Sequence, residues 1–449
     1  MFKKSLMALA LVGAAAAAQA GNVQVYGVVD AGVQYQSSQY KINGLSQTVA
    51  VVLPLEINKA YKKNNSSLKL ASGSHSGNRF GIKGTEDIAP NLKAGFVLEG
   101  GFDLLNGDMA DKGKLFNRQA DLFVEGEFGH LAFGRMGTLT SANGSYGIFG
   151  NAADNFAGGW GEHIGAAKNA FVSSGRIDNA ITYVSPEVSG AKLYAQYSFN
   201  QKGEQKDKLR ENDRYAAIGA TYKLDNLELV GIFDKTFYNN NELTYPDALD
   251  SSKLDHKSSE ISDRWSINVG ASYQFNDIKF NAAYQHAEHA KDFGTASVKN
   301  FSPMLKETGL TKELDSIAMV VNDADRLDMM INHSNGFKTN TYVIGADKPL
   351  LNGVVKAQLY YGNAKLHKMY KGSNSTAQWK GKTIGFNLGY EHDLSKRTQM
   401  YVGAGYNYDK YKVSTSTNLK KGFLAVFNQT GVTIKHSTFE AVAGLVHKF

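Results

Sequence analysis

The sequence predicts an all-β fold, a 16-stranded antiparallel transmembrane β-barrel with short periplasmic turns and long extracellular loops. Three observations predict this fold. Apolar and polar residues alternate along sixteen segments, as they do in strands that separate an apolar side from an aqueous one. The connections between these segments alternate between short and long. After residue 20, no stretch reaches the roughly 18 to 20 apolar residues of a membrane-spanning helix, so strands must cross the membrane.

The first twenty residues have the features of a secretory signal peptide. Lys3 and Lys4 precede a short apolar stretch, and Ala18-Gln19-Ala20 forms a small-residue cleavage site. We therefore expect a signal peptide over 1–20, Sec-dependent export, and a mature barrel domain over 21–449. Loss of the two lysines lowers the net charge from +7 to +5, because 47 basic residues then face 42 acidic ones.

The composition favours strands and excludes several kinds of site. The 449 residues include 46 Gly, 23 Tyr and 24 Phe but only 6 Pro, which favours long strands over helices. The absence of Cys excludes disulfides, thiolate metal sites and cysteine nucleophiles. The sequence gives no reason to expect a metal or a cofactor.

The strand pattern is clearest between Arg264 and Phe275. Odd-numbered residues from Trp265 to Phe275 are apolar, and even-numbered residues from Arg264 to Gln274 are polar or glycine. Asn276-Asp277 then allows only a hairpin turn before the next alternating run. In chain order, the predicted strands cover about 23–35, 77–86, 91–103, 115–126, 128–136, 177–185, 190–200, 213–224, 226–236, 264–275, 277–288, 338–348, 353–364, 380–391, 397–409 and 436–449.

The connections identify the two rims of the barrel. Outer-membrane barrels have short turns at the periplasmic rim and long loops at the outer rim. The short turns include 87–90, 186–189, 225 and 393–396, and the long loops cover about 36–76, 104–114, 137–176, 201–212, 237–263, 289–337, 365–379 and 410–435. Aromatic residues near strand ends suit the membrane interfaces; they include Tyr35, Tyr222, Tyr273, Phe275, Tyr361 and Tyr390.

A soluble β-barrel is the structural alternative. Its sixteen strands would enclose a lumen lined by Gln, Asn, Ser, Asp, Arg and Lys. Protein groups alone could not satisfy so many buried polar side chains. A water-filled lumen would satisfy them, which favours the membrane barrel.

Six short motifs follow one another along the mature chain, namely Val23–Gly32, Ser76–Asp87, Phe116–Ala120, Gly129–Arg135, Leu394–Thr398 and Gly444–Phe449. In order and spacing they resemble the general, non-specific porins of Gram-negative outer membranes, of the neisserial and β-proteobacterial class. The loops are long for that family, above all 36–76 and 289–337.

The resemblance implies a general diffusion porin, a water-filled outer-membrane channel for passive passage of ions and small hydrophilic solutes. It implies a homotrimer, set in outer-membrane lipid and lipopolysaccharide, in which each barrel has its own pore. It also implies that the third long loop, here 137–176, folds inward as a constriction loop. The barrel-assembly machinery would read the C-terminal strand that ends at Phe449.

In the family, basic residues on the barrel wall face acidic groups on the third loop. Alternation directs Arg79 and Arg176 into the lumen, but it places Arg118 and Arg135 on the lipid-facing side. An arginine there would cost about 2 to 4 kcal/mol, which a β-bulge or a strand ending before the arginine would avoid. The matching positions on the wall are Arg79, Arg118, Arg135 and Arg176, and Asp154 and Glu162 are the acids available on the loop. Alternation also places Lys83 beside Arg79 on the lumen face, so we include it among the basic residues of the constriction.

Each arginine has a plainer interpretation, as a solvated rim residue or as one half of a wall salt bridge with Asp30, Glu99 or Asp178. If the arginines instead face the lumen, four of them against two loop acids, together with the mature charge of +5, predict a weak preference for anions. Fixed cations concentrate anions in a pore whose low-dielectric walls focus the field.

Three other functions compete with the channel. None of the 11 His lies in a recognisable nucleophile setting, so we expect no enzyme. Loop 289–337 carries an apolar stripe after Ser302-Pro303, spaced as in a helix, so the long loops could serve specific solute binding or host-surface adhesion. Basic residues are dispersed rather than clustered with aromatics, which argues against nucleic-acid binding.

Overall fold

The structure is a computed structural model of the chain. It describes all residues except 1–21, 44–60, 158, 240–242, 247–253, 260–261, 294–295, 298–335, 367–374 and 419–426. The predicted signal peptide and the apolar stripe of loop 289–337 lie outside the described residues. Within the described part, no helix is long and apolar enough to span a membrane.

The chain forms one closed antiparallel barrel. The strands are β1 (Gln24–Asn43), β2 (Tyr61–Ser72), β3 (Arg79–Ala89), β4 (Leu92–Gly101), β5 (Gln119–Gly126), β6 (Gly129–Gly137), β7 (Arg176–Val184), β8 (Ala191–Ser198), β9 (Arg214–Leu224), β10 (Leu227–Phe237), β11 (Leu243–Pro246), β12 (Leu254–Ser259), β13 (Arg264–Phe275), β14 (Ile278–Ala290), β15 (Asp292–Phe293), β16 (Ala296–Ser297), β17 (Phe337–Leu350), β18 (Gly353–Leu366), β19 (Ser375–Asp393), β20 (Thr398–Asn418) and β21 (Phe427–Lys448). The helices are α1 (Phe149–Ala153), α2 (Ala166–Asn169) and a 3₁₀ turn at Leu209–Glu211.

Seventeen of these strands form the barrel sheet, and two of them share one position. The upper part of β1 pairs with β2, from Ala31–Ser72 to Ile42–Tyr61, while its lower part pairs with β3. β2 and β3 are therefore successive halves of the second barrel strand, which gives sixteen positions. Pairing between β1 and β21, from Val28–Lys448 to Asn43–Thr433, closes the ring.

All sixteen predicted strands are confirmed, but several extend further toward the long loops. Most of the described residues of the predicted first loop, 36–76, are strand, because β1 continues to Asn43 and β2 returns beside it. Two small hairpins, β11–β12 and β15–β16, form within the predicted loops 237–263 and 289–337.

Alternation sorts the side chains between lipid and lumen, as predicted. On β13, Ile267, Val269 and Tyr273 are exposed on the outside, whereas the inward Ser266 and Asn268 are fully buried. Directly paired residues of antiparallel strands share a face, so this assignment propagates around the sheet.

The C-terminus seals the ring at the short-turn rim. Phe449 and Gly27 exchange two backbone hydrogen bonds of 3.1 Å, one in each direction. A Cβ atom at position 27 would lie 2.2 Å from the Phe449 ring, so only glycine lets the ring lie flat on β1.

A buried ion pair lies on the inner wall. Arg264 Nη2 donates to Asp234 Oδ2 at 2.8 Å, and the two side chains are 5% and 0% exposed. The same nitrogen donates to Thr236 and to Ser174 on the loop that enters the lumen. Removal of one partner from such a pair leaves an uncompensated charge out of contact with water.

We expect Asp234→Ala to lower the free energy of unfolding by about 3 kcal/mol, because Arg264 then stays buried without its counter-charge. Asp263→Ala is the matched control: Asp263 pairs with Lys235 at 3.0 Å, with side chains that are 31% and 35% exposed. We expect its cost to stay below about 1 kcal/mol. Urea unfolding of both variants in lipid vesicles measures the difference, and equal losses would contradict the assignment.

Candidate functional site: the barrel lumen

The inner wall at β3 and β4 carries basic groups around one carboxylate. Arg79 and Lys83 share the inward face of β3 with Gly81, and Glu99 of β4 lies opposite Gly81. Arg79 Nε lies 3.7 Å from Glu99 Oε2. Lys83 Nζ lies 5.4 Å from the centre of the Tyr26 ring, nearer the short-turn rim. Both basic residues of β3 face the lumen, as alternation predicts.

Arg118, just before β5, and Arg176, the first residue of β7, complete this group. β5 begins at Gln119, so Arg118 lies before the strand and does not follow its alternation. Its Nε donates to Glu99 Oε1 at 2.6 Å. Arg176 lies within electrostatic range of Arg118, Glu99 and Arg79. Among the described residues, Arg176 pairs with no carboxylate, and its buried Nε has no hydrogen-bond partner. We call Arg79, Arg118, Arg176 and Glu99 the arginine cluster.

Arg135 is held differently. The register between β6 and β7 shifts around it, next to Gly134 with a φ of +143°, which confirms the expected bulge. Its Nε donates 2.7 Å to the carbonyl oxygen of Asn117, and its guanidinium pairs with Asp178. Asp178 also accepts from Lys114 Nζ at 2.8 Å. Arg135 therefore forms a salt bridge with Asp178 on the barrel wall, at the rim where the long loops begin. This is the alternative role that the sequence offered for it.

Loop 137–176 lies inside the barrel, packed by apolar side chains against the wall across from the arginine cluster. Phe149 is fully buried near Gly270 of β13. Phe156 and Trp160 meet edge to face with ring centres 5.2 Å apart. A Cβ atom at Gly389 or Gly403 would lie 2.8 or 2.6 Å from the Trp160 ring, so these glycines make room for the indole.

Inward polar side chains of the wall bind the main chain of the loop. Gln285 on β14 accepts from Val172 N at 2.6 Å and donates to Val172 O at 2.9 Å. Gln358 on β18 accepts from Ala166 N at 2.9 Å. Similar hydrogen bonds to the loop come from Gln196, Asn281 and Thr341. Many polar side chains of the lumen, which the sequence predicted to be hydrated, are therefore hydrogen-bonded to the loop instead.

Glu440 on β21 fixes the far end of the loop. Its side chain is fully buried and accepts from the backbone N–H groups of Glu162, at 2.8 Å, and His163, at 2.5 Å. The Gln34 amide on β1 donates to the same carboxylate. A short distance away, Gly161 N donates to Ser74 O at 2.6 Å. The loop is thus attached at the seam where the barrel closes.

The two loop acids do not contact the arginines, contrary to the expectation. Asp154 is 2% exposed and accepts from Gln358 Nε2 at 2.6 Å and from Phe156 N at 2.8 Å. Glu162 pairs with Lys69 of β2 at 2.7 Å, and this hydrogen bond holds the pKa of the Glu162 carboxyl below its usual range. Both carboxylates are engaged elsewhere because the loop turns them toward β18 and β2.

The arginine cluster therefore carries three guanidinium groups, one of them unpaired, against the single carboxylate of Glu99. Sequence reasoning named Glu99 and Asp178 only as alternatives, and it missed Glu440 and Lys69. Glu440 lies at an inward position of β21, and an acid there was the only sign of its role. No group of His, Asp and Glu within the described ranges could hold a metal ion.

Comparisons with known proteins agree with this architecture. A family model described as Gram-negative porin matches residues 5–412. An outer membrane porin protein of Bordetella pertussis is 29% identical over 90% of this chain and 94% of its own length. Outer membrane porin protein 32 of Delftia acidovorans is 27% identical over 96% of this chain and 98% of its own.

Among solved structures, the anion-selective porin from Comamonas acidovorans superposes with a TM-score of 0.51 at 21% identity. The match covers 96% of this chain and 100% of that one. This likeness concerns the fold: a barrel of sixteen strand positions with a polar lumen. With the family match over most of its length, the chain belongs to the Gram-negative porins and forms a diffusion channel in the bacterial outer membrane.

Proposed function

We propose that the channel passes ions and small hydrophilic solutes with a weak preference for anions, and that loop 137–176 is its constriction. The arginine cluster carries this proposal. Three guanidinium groups line one side of the lumen with a single carboxylate among them, and the loop opposite turns its acids away.

The sign of the preference follows from the contacts. Glu99 offsets one charge of the cluster, while Asp154 is buried behind the loop and Glu162 is neutralised by Lys69. A pore with an excess of fixed positive charge and low-dielectric walls raises the local concentration of anions. Lys83 adds a further cation toward the periplasmic end. The anion selectivity named for the Comamonas porin is consistent with this sign.

We also propose that the protein works without catalysis. Two described histidines lie within hydrogen-bond distance of a threonine hydroxyl, His436 of Thr438 at 3.1 Å and His447 of Thr398 at 2.9 Å, so the proposal is supported by the family and not by the absence of such pairs. The family is one of channels, and passive diffusion needs only an open, hydrated path.

The remaining proposals rest on the family resemblance. We propose a homotrimer, surrounded by lipid and lipopolysaccharide, whose C-terminal strand is recognised by the barrel-assembly machinery. The ring of Phe449 lies beside Gly27 and is exposed, which makes it accessible for such recognition.

We expect the refolded mature chain to conduct in planar bilayers, with a reversal potential of anionic sign in a KCl gradient, because the arginine cluster exceeds its counter-charge. A reversal potential of cationic sign would contradict the proposed selectivity. Absence of conductance from a folded barrel would contradict the open lumen.

The double variant Arg79→Gln/Arg176→Gln should lower the chloride-to-potassium permeability ratio by roughly twofold or more, since it removes two fixed cations from the lumen. Arg210→Gln/Arg397→Gln changes the net charge equally at exposed positions outside the lumen and serves as control. Equal reversal potentials for both double variants would show that the cluster does not set selectivity.

Glu440→Ala should loosen the constriction, because two backbone N–H groups of the loop lose a charged acceptor, a loss of about 1.5 to 3 kcal/mol for each hydrogen bond. We expect larger and less uniform single-channel steps. Glu187→Ala removes an exposed acid at a short turn, where it pairs with Lys192, and should leave the steps unchanged. Unaltered steps in Glu440→Ala would exclude this attachment as a determinant of pore size.

If the channel is a homotrimer, its conductance should close in three equal steps, and chemical cross-linking in vesicles should yield a limiting species of three chains. A limiting species of one chain, with single-step closure, would contradict trimerisation.

A further inference from the structure

The helical turn α2, within the loop that enters the lumen, has one side packed on the barrel wall. Ala166, Asn169 and Ala170 are at most 2% exposed. The N–H group of Ala166 donates to Gln358 on β18 at 2.9 Å. The carbonyl oxygen of Ala170 accepts from Thr341 on β17 at 2.8 Å. Residues three and four apart share one face of a helix, so this face of the turn lies against β17 and β18.

Lys168 lies on the other side of the same turn. It is two residues from both Ala166 and Ala170, which places it on the opposite face of a helix, and its side chain is exposed. The barrel encloses the loop, and the packed side of the loop faces the wall across from the arginine cluster. The side that carries Lys168 therefore faces the open part of the lumen, and pore water contacts the ammonium group.

The loop presents few charges to this water. Between 137 and 175, the only charged side chains that are exposed in the described residues are Glu162 and Lys168. Glu162 pairs with Lys69 at 2.7 Å, so its charge is compensated. No carboxylate of the described residues forms an ion pair with Lys168. Its ammonium donates to the carbonyl oxygen of Gly161. Lys168 is therefore the uncompensated charge of the loop.

Lys168 lies deep in the barrel rather than at its mouth. The residues that follow Gly161 are held by Glu440, which lies well inside β21 (Phe427–Lys448). Gln358, which binds the turn itself, lies well inside β18 (Gly353–Leu366). Both attachments are between the two rims. The ammonium group is therefore at a level where the loop narrows the lumen.

A lysine at this position changes the field of the constriction. Acids on the loop, as the family resemblance led us to expect, would oppose the wall arginines and give a field across the pore. Cations on both sides act differently, because their potentials add in the middle of the pore while their transverse fields partly cancel. A positive potential over the whole cross-section concentrates anions there.

We propose that Lys168 is a second determinant of ion selectivity, which makes the constriction positive on the side of the loop as well as on the side of the arginine cluster. A permeating anion passes between Lys168 and the arginine cluster. The inference rests on the proposed anion preference of the channel, and it assigns part of that preference to one residue of the loop.

The charge of Lys168 depends on pH. Pore water reaches the ammonium, but the surrounding barrel displaces much of the solvent that would stabilise its charge, which lowers the pKa of Lys168 to about 8. The carboxylates that oppose this shift are those of Glu440, Asp154 and Glu162. His163 also faces Glu440, but burial holds the pKa of its ring below the usual value, so the ring stays neutral above pH 7. Lys168 is charged at pH 7 and loses its charge as the pH rises through its pKa.

The test uses the absence of Cys in the chain, because a single introduced thiol can then be modified selectively. Lys168→Cys is refolded as the full mature chain and inserted into planar bilayers at pH 7. The 2-aminoethyl methanethiosulfonate reagent gives the thiol a positive charge, and the 2-sulfonatoethyl reagent gives it a negative one. Lys396→Cys, at an exposed position in a short turn, is the matched control.

We expect the chloride-to-potassium permeability ratio of Lys168→Cys to be about half that of the parent chain or lower, because one fixed cation is lost from the constriction. The cationic reagent should return the ratio toward the parent value, and the anionic reagent should lower it further. Neither reagent should change the ratio of Lys396→Cys. Equal ratios with the two reagents at position 168 would overturn the proposal.

A second measurement uses the parent chain and decides the matter if the cysteine variant does not fold. The permeability ratio of the parent should fall by roughly 1.5-fold or more between pH 7 and pH 9, as Lys168 loses its proton while the guanidinium groups stay charged. Lys168→Arg keeps its charge over this range and should show no such fall. An equal fall in both chains, or a fall in neither, would overturn the proposal.

The outcomes separate this inference from the proposed function. A reversal potential of cationic sign in the parent would contradict the anion preference, whereas opposite shifts with the two reagents would still support Lys168 as a residue of the constriction. Anion preference in the parent without any response at position 168 would leave the proposed function intact and overturn this inference.

Discussion

The structure depends on one constraint: in a membrane, every backbone N–H and C=O group of a spanning strand must find a partner within the protein. The pairing of β1 with β21 meets this constraint by closing the sheet. Closure encloses a lumen, and alternation then fills its wall with Gln, Asn, Thr and Glu. Those side chains must be satisfied in turn, by water or by a segment that enters the barrel. Loop 137–176 is such a segment, and the wall holds it by its main chain.

The attachment of loop 137–176 to the wall determines which partners the charged side chains of the lumen have. Where the loop needs an acceptor, the wall supplies a carboxylate, as Glu440 does for two consecutive N–H groups. Where the loop carries an acid, the wall or β2 supplies a donor, as Gln358 and Lys69 do. Asp154, Glu162 and Glu440 are thus all engaged between the loop and the wall. The arginine cluster has only the carboxylate of Glu99 for its three guanidinium groups.

The sequence predicted the barrel well because alternation is a local signal, repeated in each strand. The sequence did not predict strands whose apolar–polar alternation is weak, or contacts between residues that lie far apart in the chain. The run Lys62-Lys63-Asn64-Asn65-Ser66-Ser67 has no apolar face, so β2 was assigned to a loop although β1 pairs with it throughout. Arg118 and Arg135 contradicted strict alternation, and the irregularities inferred from them are present. The partners of Asp154 and Glu162 lie on strands far away in the chain, where no local pattern could identify them.

The charges on the outside of the barrel differ between its two rims. Near the short turns, two exposed lysines have acidic partners: Lys192 lies 3.3 Å from Glu187, and Lys223 lies 3.0 Å from Glu228. At the opposite rim, lysines lie directly opposite lysines in seven cross-strand residue pairs. Like-charge pairs weaken a sheet wherever they occur. The stability of the fold therefore gives no reason for such pairs to collect at one rim. At the long-loop rim, Lys338 pairs with Glu288, and no described carboxylate pairs with the other lysines of these cross-strand pairs, so the two rims differ in how lysine charge is compensated.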